Sequence, residues 1–289
     1  MPISSGGNIT AAFYNSVQTT VQALLGTGGY YQTVTSAPIA SGASVYAVDW
    51  IKLAGDINKC QQHQTFMPFS SAQLPVPVAG ASVTSATTNA FETRAGIVTT
   101  NRYMANIANM TLTSDVFSIT QDVVWGSGST SIAKAFQADW GSVAAMNAFF
   151  NTGGEIRWSM SHPATSTPQD ASWNTFLGAL GPFDVHGGDT LALNASMVKW
   201  PRNTLTNVYK TIFFASNTAT SYTSNSVTIQ ARINAAGTGV QVVFILIDGH
   251  TNSFYDKVSA GTKFTCSFLK ATQIMTGITS PTYSIAPTS

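Results

Sequence analysis

The chain has 289 residues, 44% of them apolar, which is enough to bury a substantial core. Only 9% are Asp, Glu, Lys or Arg, against about 25% in an ordinary soluble domain, while Ser and Thr together fill 69 positions. A surface of uncharged hydroxyls and amides argues against a freely diffusing cytosolic enzyme, and 13 scattered basic residues with a formal charge of +1 give no stripe able to track a nucleic-acid backbone.

The opening MPISSGGNIT lacks the basic and apolar regions of a secretory signal. Ile9, Phe13, Val17, Val21 and Leu24 then recur at helical spacing, and Gly26 stands where a left-handed residue would close the helix. GTGGYYQTVTSAPIASGASV reads as a turn and an extended linker. A second helix follows, with Asp49 as its cap and Trp50, Leu53, Ile57 and Cys60 as its buried stripe. SSAQLPVPVAGASVTSATT, with Pro at alternate positions, predicts an extended connector. A third helix is expected from about Asn89 to Asn109, with Phe91, Ala95, Val98 and Arg102 on one side.

After Met110 the period changes. Phe117, Ile119, Gln121, Val123 and Trp125 alternate as in a strand. Asp139 is expected to open a helix whose Val143, Met146, Phe149 and Phe150 face a sheet, EIRWSM to resume as a strand, and WNTFLGALG to form a short helix around Trp173, Phe176 and Leu177. NVYKTIFFASN, SNSVTIQARINAA, GVQVVFILIDGH and GTKFTCSFLKATQ have strand length and composition, separated by Gly, Asn and Ser clusters. The most apolar of these runs is far shorter than the roughly 20 residues a helix needs to span a bilayer. Four strands with no intervening helix predict an antiparallel sheet, and the closing TSPTYSIAPTS reads as a loose tail. The expected fold is α+β and mainly β: a small helical module over residues 1–70, a connector and helix over 71–110, and a β-sandwich-like domain with one or two packed helices over 111–289.

No residue pattern names a catalytic centre. The four histidines, His63, His162, His186 and His250, stand apart, and neither a zinc spacing nor a GxSxG elbow occurs, so no metal, cofactor or catalytic residue is assigned. FDVHGGD gathers Asp184, His186 and Asp189, which reads as a polar loop with structural carboxylates. Cys60 and His63 share a helix side, where Cys60 belongs to the core, and Cys60 and Cys266 are expected as separate reduced thiols. In NTGGEIRW, Gly153 and Gly154 make a tight helix-to-strand turn at a sheet edge, and Glu155 and Arg157 share a strand face, either pairing laterally or reaching a partner chain. Tyr222, Phe254 and Tyr255 lie among small polar residues and are the candidate glycan contacts.

LLGTGGYYQTV, VYAVDWIKLAGDINKCQQHQ, FFNTGGEIRWS and VVFILIDGHTN, in this order, resemble the virion structural proteins of contractile-tailed phages infecting cyanobacteria and marine bacteria. Tyr31 occupies a position where such proteins usually carry Gly, Trp50, Leu53, Asp56 and Ile57 match a W-x-x-L-x-x-D-I segment, and Phe150, Asn151, Gly153, Gly154, Glu155, Ile156 and Arg157 match an FFN-x-GGEIR block. The blocks span most of the chain. The resemblance implies a non-enzymatic particle component of the tail, baseplate or neck, located in the virion. Its partners would be copies of itself, three or six around the tail axis, and other virion proteins. A carbohydrate-binding or host-adhesion module contacting a host-surface glycan is the alternative.

Overall fold

The computed structural model describes residues 10–78, 83–113, 116–126, 130–165, 167–188, 198–219, 221–250 and 257–286. Helix α1 (Ala11–Leu25) begins at Thr10, whose Oγ1 accepts the Phe13 N–H at 3.3 Å, and buries Tyr14, Val17, Val21, Leu24 and Leu25. Gly26 closes it with φ −73°, so the left-handed residue expected there is absent; Tyr31, at φ 59°, supplies it five residues later. Helix α2 (Ala47–Thr65) buries the predicted Trp50, Leu53, Ile57 and Cys60. Asp49 lies inside its first turn rather than ahead of it, and accepts the Tyr46 N–H at 2.9 Å. Helix α3 (Ser85–Thr100) starts earlier than expected because Thr84 caps it, and ends before Arg102; Phe91, Ala95 and Val98 are its buried face.

The three helices meet at Trp50, whose ring centroid lies 5.2 Å from Tyr14 and 4.8 Å from Phe91, both edge to face. The linker after α1 is held to α2 by the buried Asp56 carboxylate, which accepts N–H and O–H bonds from both Thr35 and Ser36 at 2.7–3.1 Å. The Pro-containing connector packs more than its composition predicts: Leu74 is buried, and just ahead of the connector Phe69 is buried too, with the Arg94 guanidinium 5.1 Å from its ring centre.

Eleven strands follow among the described residues: β1 (Met110–Leu112), β2 (Phe117–Gln121), β3 (Thr130–Asp139), β4 (Glu155–Ser161), β5 (Phe183–His186), β6 (Val198–Pro201), β7 (Lys210–Ser216), β8 (Ser226–Ile233), β9 (Gly239–Asp248), β10 (Thr262–Ala271) and β11 (Thr282–Ile285). One sheet runs β1-β10-β4-β5-β6, with β2 also on β10; the other runs β11-β3-β9-β8-β7. All pairings are antiparallel except β5 with β6. Helix α4 (Val143–Asn151) joins β3 to β4, and α5 (Pro168–Leu180) joins β4 to β5. The protein is thus α+β, with N-terminal helices followed by a two-sheet sandwich.

The inner faces interlock through aromatic rings. Phe264 of β10 sits 6.0 Å from Phe136 of β3 and 5.6 Å from Phe244 of β9, and Phe183 of β5 meets Phe213 of β7 at 4.7 Å. A single hydrophobic cluster extends from this interior to Trp50 and the helices.

Several expectations give way. Asp139 ends β3 and accepts the Gly141 N–H, while Ser142 caps α4, so Val143 is solvent-facing and only Met146, Phe149 and Phe150 of the predicted stripe are buried. The strand of residues 117–125 stops at Gln121; Val123 is exposed, and Trp125 makes a separate bridge to Val258. The closing segment is an ordered strand, because the β3 edge offers unpaired backbone groups that Thr282–Ile285 satisfy. β4 lies between β10 and β5, not at an edge. Among the described residues, no helix is long and apolar enough to cross a membrane.

Candidate functional site

Residues of the segments LLGTGGYYQTV, VYAVDWIKLAGDINKCQQHQ and FFNTGGEIRWS converge on one junction between the helices and the sandwich. Asn151 Nδ2 donates to the carbonyls of Gly28 and Gly29 at 3.4 and 3.2 Å. His63 Nε2 lies 2.8 Å from the Thr152 carbonyl, and a carbonyl only accepts, so Nε2 carries the proton. The Tyr30 ring stands edge-on to His63 at 5.4 Å, and its hydroxyl donates to Arg102 O and accepts from Gln64 Nε2, each at 2.8 Å. Burial holds the His63 pKa down to about 4 against the opposing pull of the Thr152 bond.

The glycines of this junction answer to steric need. Gly153 has φ 80°, and a Cβ there would stand 2.7 Å from Ala105 Cβ. A Cβ on Gly154 would strike the Phe149 carbonyl and ring. Cys60 is no nucleophile, because burial first and the Asp56 charge second push its thiol up to about 12. Cys266 is likewise buried and forms no disulfide.

Beyond the turn, the register of β4 on β5 sets Arg157 opposite Asp184 and Glu155 opposite His186. Arg157 Nε and Nη2 lie 3.0 and 3.3 Å from the two Asp184 oxygens, and Nη2 is 3.7 Å from Glu155 Oε2. Both carboxylates are buried, so Arg157 spends its charge within the chain. The expected FDVHGGD loop is a strand through His186; Asp189 lies outside the described residues. The Gly pair following His186 imitated a loop composition that buried strand pairing overrode. Among the described residues, no three His, Cys, Asp or Glu side chains are placed to hold a metal ion.

A second buried network surrounds Asp170 and was not foreseen. His162 Nε2 is 3.0 Å from Asp170 Oδ1, and His162 Nδ1 is 3.0 Å from Thr262 Oγ1, which also accepts from Trp125 Nε1 at 3.1 Å. Ser259 gives Asp170 its N–H at 2.8 Å and its O–H at 2.7 Å, and Thr165 gives its O–H to the same carboxylate. Burial alone would raise the Asp170 pKa; these donors outweigh it and hold the carboxyl far below the usual range. The local half of this network is legible in TPQD, where Thr167 caps α5, Pro168 takes its first turn and Asp170 follows. The order Asp–His–Thr mimics a nucleophile triad, yet Thr262 is fully buried beneath the Trp125 indole. Its geometry suits a structural pin, not an attacking hydroxyl.

An open concavity of about 530 Å³ lies between α5 and residues 217–219 and 221–222. Ser172, Thr175 and Phe176 form the helix side, and Asn217, Ser221 and Tyr222 the loop side. Asn217 Nδ2 ties the walls together by donating to Ser172 Oγ at 2.8 Å. Tyr222 packs edge to face on His250 at 4.8 Å. Of the three candidate glycan contacts, Tyr222 thus lines a groove, while Phe254 and Tyr255 lie outside the described residues. Comparison of the chain with protein-family models, with curated proteins and with solved structures gives no match.

Proposed function

We propose that this protein is a non-enzymatic structural component of a contractile-tailed phage particle, stationed at the tail, baseplate or neck and acting by packing against copies of itself and other virion proteins. The observation that carries the reading is a run of exposed apolar side chains on a charge-poor helical module. No Asp, Glu, Lys or Arg occurs before Asp49, and Tyr46, Val48 and Ile51 are 66%, 50% and 47% exposed at the start of α2, beside Lys52. Exposed apolar side chains clustered on a surface with few charges favour fixed contacts over free diffusion.

The chemistry of the interior supports the same reading. Asp56, His63, Arg157, Asp170 and Asp184 are each committed to partners within the chain, and the resembling blocks build a junction rather than a reactive cleft. A density map of the intact particle tests the proposal. The expected result is this chain in three or six copies around the tail or neck axis; its recovery solely as an unassembled lysis or replication factor overturns it.

A further inference from the structure

The groove that α5 forms with residues 217–219 and 221–222 plays no part in the packing proposed above. We infer that it is a binding site for a neutral, hydroxyl-rich saccharide. Its volume of about 530 Å³ falls within the roughly 300–1,000 Å³ of small-molecule sites. Among the described residues, no charged side chain lines it. An anionic sugar would therefore surrender its hydration with no cation to receive the carboxylate or sulfate, whereas a neutral sugar needs only hydroxyl and amide partners and an aromatic face.

Those partners are present and held in place. Ser172 Oγ accepts from Asn217 Nδ2, which leaves the hydroxyl proton as a donor toward the groove, and Asn217 Oδ1 is fixed by the Ala219 N–H at 3.0 Å. Thr175 directs its proton to the Ala171 carbonyl at 3.0 Å, so its oxygen is presented as an acceptor. Phe176 is 8% exposed at the floor, and Tyr222 forms the opposite wall with its ring braced by His250. Hydroxyl and amide groups beside two aromatic side chains are the partner types that the hydroxyls and C–H face of a hexose require. Helix and loop are cross-linked before any ligand arrives, so little ordering entropy opposes binding.

The site is independent of where the chain resides. The test is calorimetric titration of the full-length protein with gluco-, galacto- and manno-hexasaccharides, with an oligogalacturonate as the anionic comparator. Saturable binding of at least one neutral hexasaccharide at or below about 1 mM, and weaker binding of the oligogalacturonate, is expected. Tyr222→Ala and Ala171→Arg, the latter on the exposed face of α5, should each weaken the neutral sugar by about tenfold or more while the melting temperature stays near wild type. Absence of saturable neutral-sugar binding, preference for the oligogalacturonate, or binding unchanged in both variants would each overturn the inference.

Discussion

His63 Nε2 sits 2.8 Å from the carbonyl oxygen of Thr152, and this single contact fastens the end of α2 to the turn between α4 and β4. Burial keeps the imidazole neutral, with its pKa lowered to about 4. The unfolded chain has the ordinary value near 6.5 and takes up a proton first as pH falls. The contribution is therefore complete above about 6.5 and is lost progressively toward the folded value near 4, by about 2 kcal/mol at pH 4.5. Urea unfolding at pH 7 and pH 4.5 should show this loss in wild type beyond that of His63→Gln, whose amide still donates to Thr152. Equal pH dependence in the two proteins would contradict the assignment.

Arg157→Ala should unfold more easily, not merely assemble less well. Asp184 would remain fully buried on β5 without its bidentate partner, at a cost of roughly 3 kcal/mol or more. Chemical denaturation of the isolated chain measures it. Arg157→Lys should recover part of the loss, because a point charge satisfies the carboxylate but not both of its directed bonds.

Asp170→Ala removes the acceptor of the Ser259 N–H, the Ser259 and Thr165 hydroxyls and His162 Nε2 at once, which should lower stability by about 3 kcal/mol. Because the folded carboxyl titrates below its unfolded value, its stabilisation is present above about pH 4 and fades as pH falls through the lower folded pKa. Asp170→Asn should flatten that acid-limb decline. A thermal melt series from pH 2 to 5 distinguishes the two proteins, and parallel curves would argue against an ionised Asp170.

The junction glycines should differ in mechanism but agree in sign. Gly153→Val forces a β-branched side chain to φ 80°, and Gly154→Ala drives a methyl into the Phe149 carbonyl. Each should cost about 2 kcal/mol or more, read as a lower melting temperature or lost soluble yield. Wild-type stability in either variant would mean the turn has another conformation.

Tyr31 offers a test in the opposite direction. It holds a left-handed φ of 59°, a conformation that favours glycine, with its side chain half exposed. Relief of strain should offset the added flexibility of the unfolded chain, so Tyr31→Gly should be neutral or slightly stabilising. Tyr31→Val should cost about 1 kcal/mol. Denaturant midpoints of the two variants on either side of wild type would confirm the backbone assignment.

Legibility followed the range of the forces involved. The α2 stripe and strands β8 to β10 announce themselves through side-chain period and turn residues, both local properties. β3 hides because Lys134 interrupts its core-facing series of Ile132, Phe136 and Ala138, and β11 hides behind Pro281, since pairing with β3 rather than composition makes it a strand. The Asp170 site was half visible: Thr167 and Pro168 mark a helix start, but Ser259 is 89 residues further on and Thr262 is 100 residues from His162. The segments around Gly29 and Asn151 could be read one by one; that Asn151 reaches Gly29 across 122 residues is a fact of the folded chain alone.

β10 touches β1, β2 and β4, and its junction with β1 links Thr111 to Thr272 across 161 residues. A sheet whose central seam is among the last segments synthesised cannot zip from one end. Its earlier strands must wait, paired imperfectly or not at all, while loop closure over that span is completed. The three helices, whose contacts are closer in sequence, can condense while the ribosome is still elongating. The kinetic bottleneck is then the arrival of Thr262–Ala271, and the interval before it is when crowded neighbouring copies could capture one another's open strand edges.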